Sequence, residues 1–255
     1  MNDWVPLTLF LYIVARMSGF VMFNPILGRN NIPRIFRNGF ILVLSVFVYP
    51  LANGQAVRMP GSIAEFALHL LSELLMGFFL CMVVHFFLYI PQLAGLMIDT
   101  QMGMTMNQIY DAGAQANMSV TGQILNVLML LLFFAENGHH TLLRVILTSG
   151  EVVPFGAALP GIEAINAMLV LFIECTLLGL KLCMPILAAE LVGQFGMGIL
   201  MKAIPQINVF SINIELKVLI GLVMLFFLIS PFSEFLLDAE MAMLDSLHQV
   251  LVLSG

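Results

Sequence analysis

The chain has 255 residues, of which 61% are hydrophobic and only 9% charged, and a formal net charge of −6. A soluble domain carries about a quarter charged residues, so this composition excludes a water-covered globule and requires lipid or other proteins over most of the exterior. The acidic balance also excludes a nucleic-acid partner, which needs a basic face.

From the N-terminus, Met1-Asn2-Asp3-Trp4 lacks the basic start of a cleaved leader, so the first apolar segment is expected to stay in the mature protein. Six hydrophobic stretches follow, at 4–23, 39–51, 66–98, 124–135, 165–194 and 216–237. Pro and Gly punctuate them at Asn24-Pro25, Asn53-Gly54, Pro60-Gly61, Pro91, Asn137-Gly138, Pro160-Gly161 and Pro205. Ser62-Ile63-Ala64-Glu65 has capping-box spacing and predicts a helix start there. No run of alternating strands long enough for a membrane barrel is present. The expected fold is all-α, an integral membrane protein built of helical hairpins.

These stretches differ from ordinary spans, which need about 20 apolar residues, because the second and fourth are shorter. Others carry ionisable groups well inside: Arg16 in the first, His69, Glu73 and His85 in the third, Glu174, Lys181 and Glu190 in the fifth. A charge at the lipid-facing centre of a helix costs about 2.5–3.5 kcal/mol on the lenient insertion scale. Such groups are expected to face protein, with some helices strongly tilted or not spanning conventionally. Glu174 and Lys181 lie two helical turns apart and are expected to share an inward stripe. Arg29, Arg34 and Arg37 in the first loop and Lys202 and Lys217 around the fifth place those loops on the cytoplasmic side if all six stretches span, with both termini outside.

No metalloprotease, serine-hydrolase, P-loop or dinucleotide-binding motif occurs, and no metal site, cofactor or catalytic residue is expected. Cys81, Cys175 and Cys183 read as small buried hydrophobes. Two segments are unlike membrane filler. From Asp99 to Thr121 the chain is polar, almost uncharged, and rich in small residues, amides and methionine, including Met102, Met104, Met106, Ile109, Tyr110, Asp111, Asn117 and Met118. Methionine is flexible and fills irregular gaps, so the segment suits a deformable seal against protein or inside a lumen. From Gln194 to Lys217, Pro205 with Gln206, Asn208 and Phe210 predicts a break and a tight connection between two helices.

Several of these motifs, in this order along nearly the whole chain, resemble the FliR family of flagellar and type III secretion export-gate proteins. They are Arg16 followed by Asn24-Pro25-Ile26 and Ile32-Pro33, Gln101-Met102-Gly103 with Asp111 and Asn117-Met118, Asn137-Gly138-His139, and Gly196-Met197-Gly198 followed by Pro205-Gln206-Ile207-Asn208-Val209-Phe210. Ala112 departs from the pattern, since some members have proline there.

The resemblance implies a non-enzymatic subunit of a closed protein-export channel in the bacterial inner membrane, at the flagellar basal body or a related injectisome. It implies FliP-type and FliQ-type partner subunits, FlhB-type and FlhA-type export components, membrane lipid, and exported proteins as cargo. It further implies a FliP-like part over 1–160, a FliQ-like hairpin over 161–255, a cytoplasmic C-terminus, and a plug formed by the polar segment. Arg16, Glu73, Glu174, Lys181 and Glu190 are expected as buried charges serving assembly. The alternative is a secondary transporter of ions or small solutes, with Glu73, Glu174, Lys181 and Glu190 as a buried relay.

Overall fold

A computed structural model of the chain describes residues 4–26, 32–52, 60–104, 119–157, 161–203 and 209–254. Among these residues all regular structure is helical: α1 (Trp4–Phe23), α2 (Arg34–Leu51), α3 (Ile63–Met102), α4 (Val120–Ala135), α5 (Gly138–Val152), α6 (Ile162–Ala203) and α7 (Val209–Leu253). Five are long and apolar enough to cross a membrane, and α4 with α5 make a sixth if they act as one broken span.

The helix starts follow local chemistry. Ser62 Oγ accepts the Glu65 amide at 3.2 Å, and the Glu65 carboxylate reaches back to the Gly61 amide at 2.7 Å, so the expected capping box opens α3. Asn24 Oδ1 accepts the Ile26 amide at 2.9 Å, an Asx turn that ends α1 at the first Asn-Pro signal. Asn137, at φ 57°, is the left-handed residue between α4 and α5.

Pro91 does not interrupt the helix expected through the third stretch. It lies inside α3, which runs 40 residues, and Pro185 and Pro231 lie inside α6 (42 residues) and α7 (45 residues). Membrane helices tolerate proline because neighbouring groups re-satisfy the freed carbonyl. At 1.5 Å per residue these three helices are about 60–70 Å long, twice the ~30 Å hydrocarbon core, so each must tilt steeply or extend past the lipid. Helix α5 lies in a stretch too polar to signal a span, and its buried side is small: Gly138, Leu142, Ile146, Ser149 and Gly150.

The chain forms two compact units, each discontinuous: Met1–Phe87 with Asn137–Ile173 and Glu240–Gly255, and Leu88–Glu136 with Glu174–Ala239. In the first, α1 packs along α2, and α2 meets α5. Helix α1 crosses α3 at very short range: a Cβ on Gly19 would collide with the Leu74 carbonyl, and one on Gly77 with the Arg16 carbonyl and Phe20 amide. In the second, Gly95 of α3 and Gly122 of α4 leave no room for a side chain between their backbones, and Gly221 of α7 receives Met102. Small residues at crossings are how membrane helices gain packing where lipid supplies no hydrophobic drive.

Cys81, Cys175 and Cys183 are free and buried. Large apolar side chains are exposed in every long helix, among them Phe47, Phe195, Phe226 and Phe227. In water such a surface would aggregate; against lipid or partner helices it is stable.

Candidate functional site

Three constellations of polar groups stand out against the apolar background. The first lies in the first unit. Arg16 projects from α1 and is fully buried. Its Nε donates to Glu73 Oε2 of α3 at 2.6 Å. Its Nη1 donates to the carbonyls of Val153 at 2.9 Å and Ser149 at 3.2 Å, where α5 ends, and the guanidinium stands 4.2 Å from the Phe155 ring centroid. The other Glu73 oxygen accepts the Gly156 amide at 2.7 Å.

Gly156 has φ +87°, and a Cβ there would press on the Tyr12 ring at 3.0 Å, so only glycine presents that amide without strain. Arg16 and Glu73 thus clamp three segments that are distant in sequence. Breaking a buried pair by removing one partner costs about 3–5 kcal/mol, because the survivor stays buried and uncompensated.

The second is the stem of the polar segment, in the second unit. Helix α3 ends in a Schellman-type turn: Gly103, at φ +80°, is followed by a Met104 amide that donates to the Asp99 carbonyl at 3.0 Å. Across the stem, Asp99 Oδ2 accepts the Thr121 amide at 3.2 Å, and Ser119 Oγ caps α4 by accepting the Gly122 amide at 2.9 Å. Asp99 is buried, as is Met102, which packs against Gly221; Met104 is half-exposed. Met106, Ile109, Tyr110, Asp111, Asn117 and Met118 lie outside the described residues.

The third is on α6. Glu190 is fully buried beside Lys217 and the Gly221 amide of α7, without a well-formed hydrogen bond to either of its oxygens among the described residues. Glu174 and Lys181 are both exposed on this chain, so the chain by itself does not bury them. Two-turn spacing does put them on one face, but it is the face that turns away from the packed core. Pro205, Gln206 and Asn208 lie outside the described residues, and Phe210 is helical in α7 with its side chain undescribed.

In the sequence Arg16 and Glu73 stand as two separate charges, and nothing there gives Ser149, Val153 or Gly156 a role. Three of those five contacts run to backbone atoms, which leave no side-chain signal. Asp99 reads in the sequence as the edge of the polar segment; a carboxylate at a helix end, ahead of a serine at the next helix start, is the available hint.

A many-helix chain with exposed apolar faces, glycine-seated crossings and a charge pair sealed inside is an integral membrane protein. The chain belongs to the bacterial export proteins, family 1, whose family model matches residues 7–242. It is 25% identical to the flagellar biosynthetic protein FliR of Bacillus subtilis (strain 168), covering 96% of this chain and 95% of that protein. It is 27% identical to the protein of the same name from Escherichia coli (strain K12), over 92% and 91% of the two chains. With the Yop proteins translocation protein T of Yersinia pestis it shares 24% identity over 83% of this chain and 82% of that one.

Proposed function

We propose that this chain is a subunit of the export gate of a flagellar or related type III secretion apparatus, through which unfolded proteins cross the bacterial inner membrane. The observation that carries the reading is the end-to-end similarity to flagellar biosynthetic and Yop translocation proteins, at more than four fifths of both lengths. The architecture supports it: helices of 40 residues or more with charges along them suit a helical protein assembly better than isolated lipid-spanning rods.

In this reading the FliP-like part is 1–160 and the FliQ-like hairpin is 161–255, which contains the long pair α6 and α7. FliP-type and FliQ-type subunits are the direct partners, with FlhB-type and FlhA-type components and the exported proteins also engaged. The work is non-enzymatic: the chain shapes and closes a passage. The polar segment after Asp99 is the plug, held by the stem that Asp99, Ser119 and Gly103 build.

The transporter alternative requires Glu73, Glu174, Lys181 and Glu190 to act as one relay. Glu73 is engaged by Arg16 and Gly156, and Glu174 and Lys181 are exposed, so no observation favours it.

The test is an in-frame deletion of the gene. Loss of export of flagellar or type III substrates, restored by the wild-type gene, is the expected result. Unchanged export with altered uptake of a small solute overturns the reading.

A further inference from the structure

Between Glu163 and Lys202 the only charges on α6 are Glu174, Lys181 and Glu190. Glu190 is buried within the chain, whereas Glu174 and Lys181 face outward. They sit in the most continuous apolar part of the helix, with Leu169 to Ile173 before them and Leu182 to Leu187 after. On their face lie the exposed Leu177 and Met184. Beyond Glu190 the helix is diluted by Gly193, Gln194, Gly196 and Gly198, so the two charges stand in its more apolar part. Facing lipid, each would cost about 2.5–3.5 kcal/mol on the lenient scale. Nor do they neutralise each other: seven residues at 1.5 Å separate them by about 10 Å along the axis. Neither makes an ion pair with a described residue.

We propose that this face of α6 docks an apolar helix of a different membrane subunit, one presenting a cation at the depth of Glu174 and a carboxylate at the depth of Lys181. The proposal rests on the export-gate reading above and deepens it. Lipid is the wrong occupant because it neutralises neither charge. A second copy of the same face is also wrong. Two copies in one membrane share an orientation, so a two-fold contact has its axis along the membrane normal and sets each residue against its own equivalent. Glu174 would then meet Glu174, and Lys181 would meet Lys181, at the same depth. Only an unlike helix, with acid and base two turns apart in the opposite order of depth, satisfies both. The apolar side chains between them supply the packing, and the two ion pairs fix the sliding register, the role best attested for buried charges between helices.

The experiment places a photoreactive benzoylphenylalanine at Leu177, midway between the charges, in the full chain co-produced with the FliP-type and FliQ-type subunits of the same organism. The expected result is a crosslink in the purified complex to a different subunit, mapped by mass spectrometry to a span holding an acid and a base about two turns apart. Lys181→Glu should then reduce co-purified partner by about tenfold or more, and reversing the charge of the crosslinked acid in the partner should restore it. Lys181→Met, which keeps the apolar stem, should give an intermediate loss at unchanged abundance of the chain in the membrane. A complex that forms normally yet crosslinks at Leu177 only to lipid or to a second copy of this chain overturns the proposal and leaves the export-gate reading standing. Failure of the wild-type chain to co-purify with either subunit overturns both.

Discussion

Asp99 Oδ2 accepts the Thr121 amide at 3.2 Å, and this one bond joins the end of α3 to the start of α4 across the whole polar segment. A carboxylate holding a backbone N–H at a helix start is a charge-assisted bond of about 1.5–3 kcal/mol. It anchors both ends of the proposed plug to a packed base that includes Met102 and Gly221.

Asp99→Ala should therefore loosen the closed state without removing the plug. In cells overproducing the gate, uptake of a small membrane-impermeant dye should rise above wild type, while co-purification with partner subunits stays within about twofold, as suits loss of one local bond. Dye uptake at the wild-type level would show that the stem does not control closure.

Deleting 107–116 should produce a larger leak than Asp99→Ala, with assembly again preserved and growth slowed by loss of small solutes. Joint removal of the Met104, Met106 and Tyr110 side chains should act in the same direction, more mildly. A deletion strain that assembles the gate and stays as tight as its parent would reduce the segment to a spacer.

Arg16→Ala should lower the amount of chain in the membrane severely, since it leaves Glu73 buried with only the Gly156 amide; the expected cost is about 3–5 kcal/mol. Replacing both partners, as Arg16→Met with Glu73→Leu, should recover part of that loss because no charge is then stranded. Arg58→Glu serves as the control and should do little. Immunoblotting of membranes reads all three, and equal abundance of Arg16→Ala and wild type would contradict the clamp.

Gly77→Leu should separate α1 from α3, since even a Cβ would strike the Arg16 carbonyl and the Phe20 amide. At Gly39 an added Cβ meets nothing within 4 Å, so Gly39→Leu should be tolerated. The expected difference is several-fold in membrane abundance and in thermal stability of the purified complex. Similar behaviour of the two variants would mean the crossing adapts.

Composition alone determined the solvent: so few charges on so apolar a chain have one physical interpretation, and the helices follow because lipid leaves backbone groups no other partner. Ser62 and Glu65 marked the start of α3 for the same local reason, since a cap is made by atoms three residues apart. Pro91 does not end α3, because neighbouring groups in a membrane helix re-satisfy the backbone that proline frees. Helix α5 gave no signal of a span because His139, His140, Arg144 and Glu151 dilute its apolar residues, although Leu142 and Ile146 lie on its buried side. What only the tertiary structure decided is which charges face inward. Arg16, Glu73, Glu190, Glu174 and Lys181 look alike in the sequence, each an ionisable group in an apolar stretch. Helical periodicity assigns them to faces but cannot say which face meets another helix. That depends on where Gly19, Gly77, Gly95 and Gly221 let helices touch, and those contacts join residues tens of positions apart. Packing seals Arg16 against Glu73 inside the chain and leaves Glu174 and Lys181 exposed on its outer face.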